Sequence, residues 1–310
     1  MAPPRRPLVA ALCAARASAL APHVRLDASL ANLRFVSREP DVVVLENFLA
    51  PAHCDALVAA GREASLERSP VAYAGWTEDA SELLGTWASG PAAWLALLAV
   101  LAAANAFGVE DRAQLALTAA GAYAANMALA GVGVFAFLDR RKENLQALRT
   151  SKSVALRASS PFSGEVECYE GLLEALPDVA AEACEALTLI KYDPGDALAP
   201  HYDANRAADA EDASRGGQTL ATLLVYLNDV QGGGGRTRFG KLRVDVSPRK
   251  GDACLFFPAD ASGAFDERLE HEGEAPAAEK WIGRVWVHAR PISGETGCPP
   301  ATLEALRRGG

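Results

Sequence analysis

The sequence predicts a mainly β protein with flanking helices, a jelly roll or barrel interrupted by an inserted helical hairpin. Three observations predict it. From Ala186 onward, short β-prone runs alternate with glycine-rich turns. Two long uncharged runs, residues 91–107 and 115–138, interrupt that pattern upstream. Between them and the strand-rich region, helical patterns cover 164–175 and 179–186, with Pro177 and Asp178 as the break.

The expected strands are 187–192, 199–204, 219–227, 242–246, 252–257, 267–272 and 281–289. Nearer the start, the β-branched run 41–49 reads as a strand, and Pro51 opens a helix for which Gly61 is a plausible stop. Residues 205–217 form a polar loop, open to two readings: a cover over a ligand or a solvated connection.

The chain has 310 residues, enough for one large domain with an appendage or two modest ones. Its formal net charge is −9 and no basic stripe stands out, which argues against a nucleic-acid partner. The six cysteines make no Cys-x-x-Cys pair, so zinc-finger spacing is absent, and Cys254 reads as a buried thiol. Residues 1–34 carry five arginines and one acid, Asp27, the composition of a targeting segment or of a disordered tail.

The uncharged runs span 17 and 24 residues. About 20 apolar residues cross a bilayer, so residues 85–138 read as a transmembrane hairpin. The alternative is a soluble alanine-rich insert. Small residues would let the helices approach closely, Asn105 and Asn126 are placed to bond across them, and Trp87, Trp94 and Phe137 are candidate interfacial anchors. Arg140, Arg141 and Lys142 favour the cytosolic or equivalent side for the second helix's end.

Candidate chemistry centres on His201-Tyr-Asp203. In a strand, positions i and i+2 share a face, so an imidazole and a carboxylate aim at one point. His271 supplies a third ligand. Two histidines and one carboxylate leave three metal positions open, the facial arrangement of non-haem Fe(II) oxygenases. His53, on the early helix, reads as a surface side chain.

Further residues follow in a characteristic order: a Lys191-Tyr192 run into His-x-Asp, Tyr226-Leu-Asn-Asp-Val, a Gly-Gly-x-Thr237-x-Phe turn, Lys250-Gly-Asp-Ala, then His271, Lys280-Trp281 and Trp286. With these motifs, over roughly residues 42–73 and 145–290, the chain resembles the prolyl 4-hydroxylase-like, 2-oxoglutarate- and Fe(II)-dependent dioxygenases.

The resemblance implies a double-stranded β-helix (jelly roll); together with the composition of the remaining segments, which lie outside the family pattern, it gives the following organisation: targeting segment or tail 1–34, N-terminal part of the catalytic domain 35–73, inserted hairpin 74–143, oxygenase core 144–292 and C-terminal tail 293–310. It implies Fe(II) on His201, Asp203 and His271, and 2-oxoglutarate bound through Lys280, Tyr192 and Thr237. Lys280 follows His271 by nine residues, one fewer than is familiar in the family, and this leaves Arg284, on the same strand face, as a rival anchor. The implied reaction hydroxylates peptidyl proline and releases succinate and CO2, with L-ascorbate as re-reductant and a proline-rich peptide or protein as substrate. The implied location is a membrane, that of the endoplasmic reticulum or another organelle. Two alternatives stay open: an oxygenase acting on another side chain or a small molecule, and a non-catalytic membrane-bound metal-binding scaffold.

Overall fold

The computed structural model describes residues 24–69, 80–108, 111–204, 216–259, 263–292 and 294–309. The chain divides into two compact units, residues 1–70 with 148–310, and residues 71–147.

The first unit is built on two antiparallel sheets. Its strands are β1 (Leu33–Arg38), β2 (Asp41–Leu45), β3 (Glu67–Arg68), β4 (Lys152–Ala155), β5 (Thr188–Tyr192), β6 (Leu198–His201), β7 (Thr219–Tyr226), β8 (Thr237–Phe239), β9 (Val244–Val246), β10 (Ala253–Phe256), β11 (His271–Gly273) and β12 (Lys280–His288). The larger sheet runs β1-β2-β10-β7-β12-β5-β4-β3 and the smaller β6-β11-β8-β9. Three helices accompany them: α1 (Pro51–Glu63), α5 (Ser163–Ala175) and α6 (Pro300–Gly309).

Strand alternation divides the apolar residues between two cores. Val43, Leu45, Leu223, Val225, Leu255, Trp281, Val285 and Val287 face one way and pack with Leu57 and Val58 of α1 and Leu172 of α5. Their neighbours Val42, Val44, Leu224, Tyr226, Phe256 and Ile282 face the other way and meet Phe239 and Val246 of the smaller sheet. The central strands β7 and β10 are buried on both faces, which explains their nearly continuous apolar sequence. The second core, between the sheets, is the one that carries the candidate site.

Several expectations need correction. Gly61 does not stop α1; it lies inside the helix, buried against Trp281. The pattern at 179–186 is not an α-helix. Only Ala181–Ala183 makes a 3-10 turn, because Cys184 and Glu185 instead bridge Val287 and Gly297. The Tyr169 hydroxyl holds this extended path, donating to the Glu185 carbonyl and accepting from Leu187 N–H. The segment expected as a strand at 267–272 splits into a 3-10 turn, Glu267–Leu269, capped by Asp266, and β11.

The folded chain begins before residue 35. Val24, Leu26 and Leu30 pack on the first core and Asp27 N–H donates to the Ala175 carbonyl. The rest of the expected N-terminal segment, residues 1–23, lies outside the described residues, as do residues 205–215 of the polar loop. The C-terminal stretch forms α6 rather than a tail: Leu303 and Leu306 pack on the core, and buried Thr302 donates to Glu165.

The second unit contains α2 (Ala80–Ser89), α3 (Pro91–Ala106) and α4 (Arg112–Leu148). The first uncharged run ends as a 16-residue helix, about 24 Å long at 1.5 Å per residue, short of the ~30 Å hydrocarbon core. Within α4, Ala113–Ala136 is long and apolar enough to cross a membrane and is not buried; Leu117 is 75% and Phe135 63% exposed. Two full spans, as the hairpin reading required, are therefore not found among the described residues. Asn126 accepts a hydrogen bond from Trp87 Nε1 at 2.9 Å, so Trp87 serves as a polar link between α2 and α4.

Gly61 offers a test of the packing. A Cβ there would lie 2.5 Å from Trp281 Cζ3 and 3.2 Å from Leu189 Cδ1. Alanine is intrinsically better in a helix by about 0.8–1 kcal/mol, but overpacking costs roughly 1–3 kcal/mol. Gly61→Ala is therefore expected to lower the melting temperature by several degrees. An unchanged or raised melting temperature would show that Trp281 moves away without cost.

Candidate metal centre

The site begins with β-ladder register. In the β6–β11 pair, His201 and His271 are direct Cα partners, so two imidazoles stand on facing strands with ring centroids 4.2 Å apart. Asp203 lies just past the end of β6 and not on the strand, so the i, i+2 argument does not by itself account for its position. A side-chain contact does: Thr222 on β7 donates its hydroxyl to Asp203 Oδ2 at 2.8 Å. Asp203 Oδ1 is 3.4 Å from His201 Nε2, and Oδ2 is 3.6 Å from His271 Nε2. One ligand atom from each of the three residues falls within 4.8 Å of the others.

The donor set fits a divalent metal. His201 Nδ1 is 3.0 Å from the Ala199 carbonyl and His271 Nδ1 is 3.1 Å from that of Leu269. A carbonyl only accepts, so each Nδ1 carries the proton and each Nε2 presents its lone pair to the shared point. Burial, followed by repulsion from His201, lowers the His271 pKa to about 4 and keeps it neutral at physiological pH. Burial opposes ionisation of Asp203, but the electrostatic influence of His271, His201 and Arg284 outweighs it and holds this acid below the ordinary carboxylate range. Phe239 and Phe256 pack against the His271 ring and limit its rotation.

Beside the triad lies a cation pocket. Lys280 begins β12 and is 2% exposed. Its Nζ donates to the Gly235 carbonyl at 2.5 Å and sits over the rings of Tyr192 and Tyr226, at 5.1 and 5.8 Å. Thr237 shares a 2.8 Å hydrogen bond with the Tyr226 hydroxyl. Lys280, Tyr192 and Thr237 thus meet at one wall. Burial lowers the Lys280 pKa to about 8. The turn that offers the carbonyl has four successive glycines at positive φ, from Gly232 to Gly235. At Gly235 a Cβ would also approach Lys280 Cδ to 3.1 Å, so this turn is open only to glycine.

Arg284 lies farther along β12 and is close enough to interact electrostatically with Tyr192 and Asp203. Its Nη2 is 3.4 Å from Glu185 Oε2 and its guanidinium lies 3.6 Å over the Trp286 ring. Sequence reasoning did not single out Thr222, Glu185, His288 or Arg149 for the site. Arg149 Nε donates to Ser151 Oγ at 3.2 Å and is close enough to interact electrostatically with Tyr192 and Asp203. Glu185 was hidden by the helical reading of 179–186. His53 contacts Glu167 on the far helices, away from the triad.

Residues 187–288 match the family model for the 2OG-Fe(II) oxygenase superfamily. The chain is 33% identical over 159 residues to prolyl 4-hydroxylase 1 of Arabidopsis thaliana, covering 47% of this chain and 56% of that one. It is 32% identical over 138 residues to prolyl 4-hydroxylase subunit alpha-1 of Rattus norvegicus, covering 43% and 25%. A solved structure of the viral collagen prolyl hydroxylase from Paramecium bursaria Chlorella virus-1 aligns over 81% of this chain and 96% of that one, with 18% identity and a TM-score of 0.47. The chain spans about half the length of the plant relatives it matches. Over residues 187–288 the β unit is thus similar to 2OG-Fe(II) oxygenase domains, and the chain is similar to prolyl 4-hydroxylases.

The triad can be tested by metal binding alone. Calorimetric titration with Mn(II), which resists oxidation, is expected to find one site per chain. Asp203→Ala is expected to abolish measurable binding, and Thr222→Val to weaken it by roughly ten- to a hundredfold, the usual effect of losing a group that orients a ligand. Wild-type affinity in Asp203→Ala would remove that residue from the site.

Proposed function

We propose that the protein is a 2-oxoglutarate- and Fe(II)-dependent dioxygenase that hydroxylates peptidyl proline, releasing succinate and CO2, with its β unit acting as a double-stranded β-helix. The observation that carries this reading is the convergence of His201, Asp203 and His271 beside a buried lysine. A scaffold that merely held a metal would have no use for a desolvated cation in the same inter-sheet core. In this reading the three side chains hold Fe(II), and the metal supplies the oxidative chemistry when bound with its cosubstrate.

The chain's own residues do the rest. The two Nδ1 protons stay on backbone carbonyls, so both Nε2 atoms remain ligands. Thr222 fixes the Asp203 carboxylate. Lys280 takes the C5 carboxylate of 2-oxoglutarate, with hydroxyl contacts from Tyr192 and Thr237, in a pocket whose aromatic walls exclude water. A substrate acting through another side chain would meet the same machinery; the relatives named as prolyl 4-hydroxylases favour proline. L-ascorbate as re-reductant belongs to this proposal and rests on the family resemblance.

The test is incubation of purified protein with Fe(II), ascorbate, labelled 2-oxoglutarate and a panel of proline-rich peptides. Peptide-dependent succinate and hydroxyproline are expected; succinate without any peptide dependence would refute the substrate. Lys280 gives a second check. A charge-assisted pair contributes roughly 1.5–3 kcal/mol, so Lys280→Ala is expected to raise the KM for 2-oxoglutarate at least about tenfold. The charged amine binds the carboxylate, and Lys280 in the free protein loses its proton near pH 8. The KM for 2-oxoglutarate is therefore expected to be flat below that value and to climb about tenfold per pH unit above it. Lys280→Arg should move the climb beyond the accessible range. A large KM change in Arg284→Ala with none in Lys280→Ala would reassign the anchor.

We also propose membrane attachment, through α4. The exposed apolar stretch Ala113–Ala136 supports it, and an endoplasmic-reticulum membrane is the location carried by this reading. Carbonate extraction is expected to leave the full chain in the membrane fraction and to release a variant lacking residues 74–143. Full release of the intact chain would end the membrane reading.

A further inference from the structure

Cys184 and Cys298 lie far apart in the sequence, and the fold sets them side by side. The extended stretch braced by Tyr169 runs antiparallel to the residues just before α6. Glu185 is the Cα partner of Gly297. Cys298 N–H donates to the Cys184 carbonyl at 2.8 Å, and Ala186 N–H donates to the Thr296 carbonyl at 2.9 Å. One step along that register puts Cys184 directly opposite Cys298. Opposed residues of an antiparallel pair send their side chains to the same face, with Cα atoms about 4.5–5.5 Å apart. A disulfide needs Cα atoms about 4.4–6.8 Å apart and Cβ atoms that converge. The backbone meets both requirements.

The side chains agree with the register. Both residues are free thiols, both pack in the helix-covered core, and they are close enough to interact electrostatically. The Tyr169 hydroxyl, which bonds Glu185 and Leu187, also interacts with the Cys298 thiol. Of the other described cysteines, Cys54 and Cys168 stand on separate helices, α1 and α5, and Cys254 lies in the second core.

We propose that Cys184 and Cys298 form a structural disulfide, closed during folding in a compartment that supplies a small disulfide oxidant such as oxidised glutathione. The bond ties residues 184–298 into a covalent ring that contains His201, Asp203 and His271. It also fastens the segment leading into α6 to the strand leading into β5.

The step is thiol–disulfide exchange. One cysteine thiolate attacks the oxidant, forms a mixed disulfide and releases one small thiolate. The second cysteine thiolate attacks the protein sulfur of that mixed disulfide and displaces the other small thiolate. Two S–H bonds are lost and one S–S bond forms in the protein. The two electrons reduce the oxidant, and the two protons end on the released small thiols.

Burial sets the timing. Cys184 is sealed from solvent and Cys298 is 7% exposed. Burial pushes the Cys298 thiol up to about 12 and raises that of Cys184 as well. The thiolate is the attacking species, so exchange is slow once the chain has folded. The hydrogen bond from Thr302 to buried Glu165 docks the segment that carries Cys298. Closure therefore precedes that docking.

The test refolds the reduced, denatured full-length chain either in a glutathione redox buffer or in excess reductant. Free thiols are then blocked and the digest is mapped by mass spectrometry without reduction. A peptide linking Cys184 to Cys298 is expected in the first sample and not in the second. The same buffer added to folded, reduced protein is expected to form this link at least about tenfold more slowly. The oxidised protein should melt several degrees above the reduced one, and that gap should vanish in Cys184→Ala and in Cys298→Ala. Should either variant fail to fold, the wild-type peptide map decides. Refolding that yields no Cys184–Cys298 peptide, or a link only between Cys54 and Cys168, overturns the proposal. Equally fast closure in the folded protein overturns the folding-stage timing.

Discussion

A carboxylate nearly sealed from water is the constraint on which the rest of this structure depends. The Asp203 side chain is 4% exposed, and a lone buried charge of that kind is not tolerated without partners. Two imidazoles and one hydroxyl meet it, and each comes from a different strand or strand end. The β6–β11 register must bring His201 opposite His271, and β7 must present Thr222 to the same point. A one-residue slip in either ladder would turn these side chains to the opposite face. The apolar core between the sheets, with Phe239 and Phe256 against His271, holds that register in place.

Division of labour along β12 follows from the same alternation. Its odd positions, Trp281, Val285 and Val287, anchor the strand in the helix-covered core. Its even positions carry the polar residues of the site. The strand is thus stabilised on one face and chemically specialised on the other, so the polar face can hold a buried lysine and an arginine–glutamate pair whose desolvation costs stability. Gly61 belongs to this support: without a side chain there, α1 settles directly on Trp281.

The sequence shows much of this, and the parts it hides have physical reasons. The period-2 pattern and glycine turns revealed β2, β5, β6, β7, β9, β10, β11 and β12, several with ends displaced by three or four residues, and missed β1, β3, β4 and β8, which are short or lie on the outer part of a sheet. The ligand triplet was visible because His-x-Asp and a distal histidine are separable from packing residues by chemistry alone. Asp203 meets the two histidines although the strand ends before it, because Thr222 supplies the constraint that strand alternation does not. The stretch 179–186 has alanine and glutamate, good helix formers, but a tertiary contact to the Tyr169 hydroxyl outweighs that preference. Arg149 and Glu185 were not legible because their roles come from long-range neighbours, Tyr192 and Arg284, which no local pattern encodes. The apolar runs read as two spans because an uncharged run does not show where its helix breaks; the break at Gly90 and the end at Ala106 leave α3 too short.

The smallest strand pair in the large sheet has a consequence of its own. Glu67 and Arg68 on β3 pair with Ser153 and Lys152 on β4, and Ser69 and Ser151 continue the contact through backbone and hydroxyl hydrogen bonds. The chain leaves and re-enters the β unit at adjacent points of one ladder. Closing a longer flexible connection costs only about 0.6 kcal/mol per doubling of its length, so a tight turn and a module the size of residues 71–147 are nearly interchangeable at that junction. The connecting length at this junction can therefore vary while the ladder on either side, and the strands that carry His201 and His271 beyond it, keep their register.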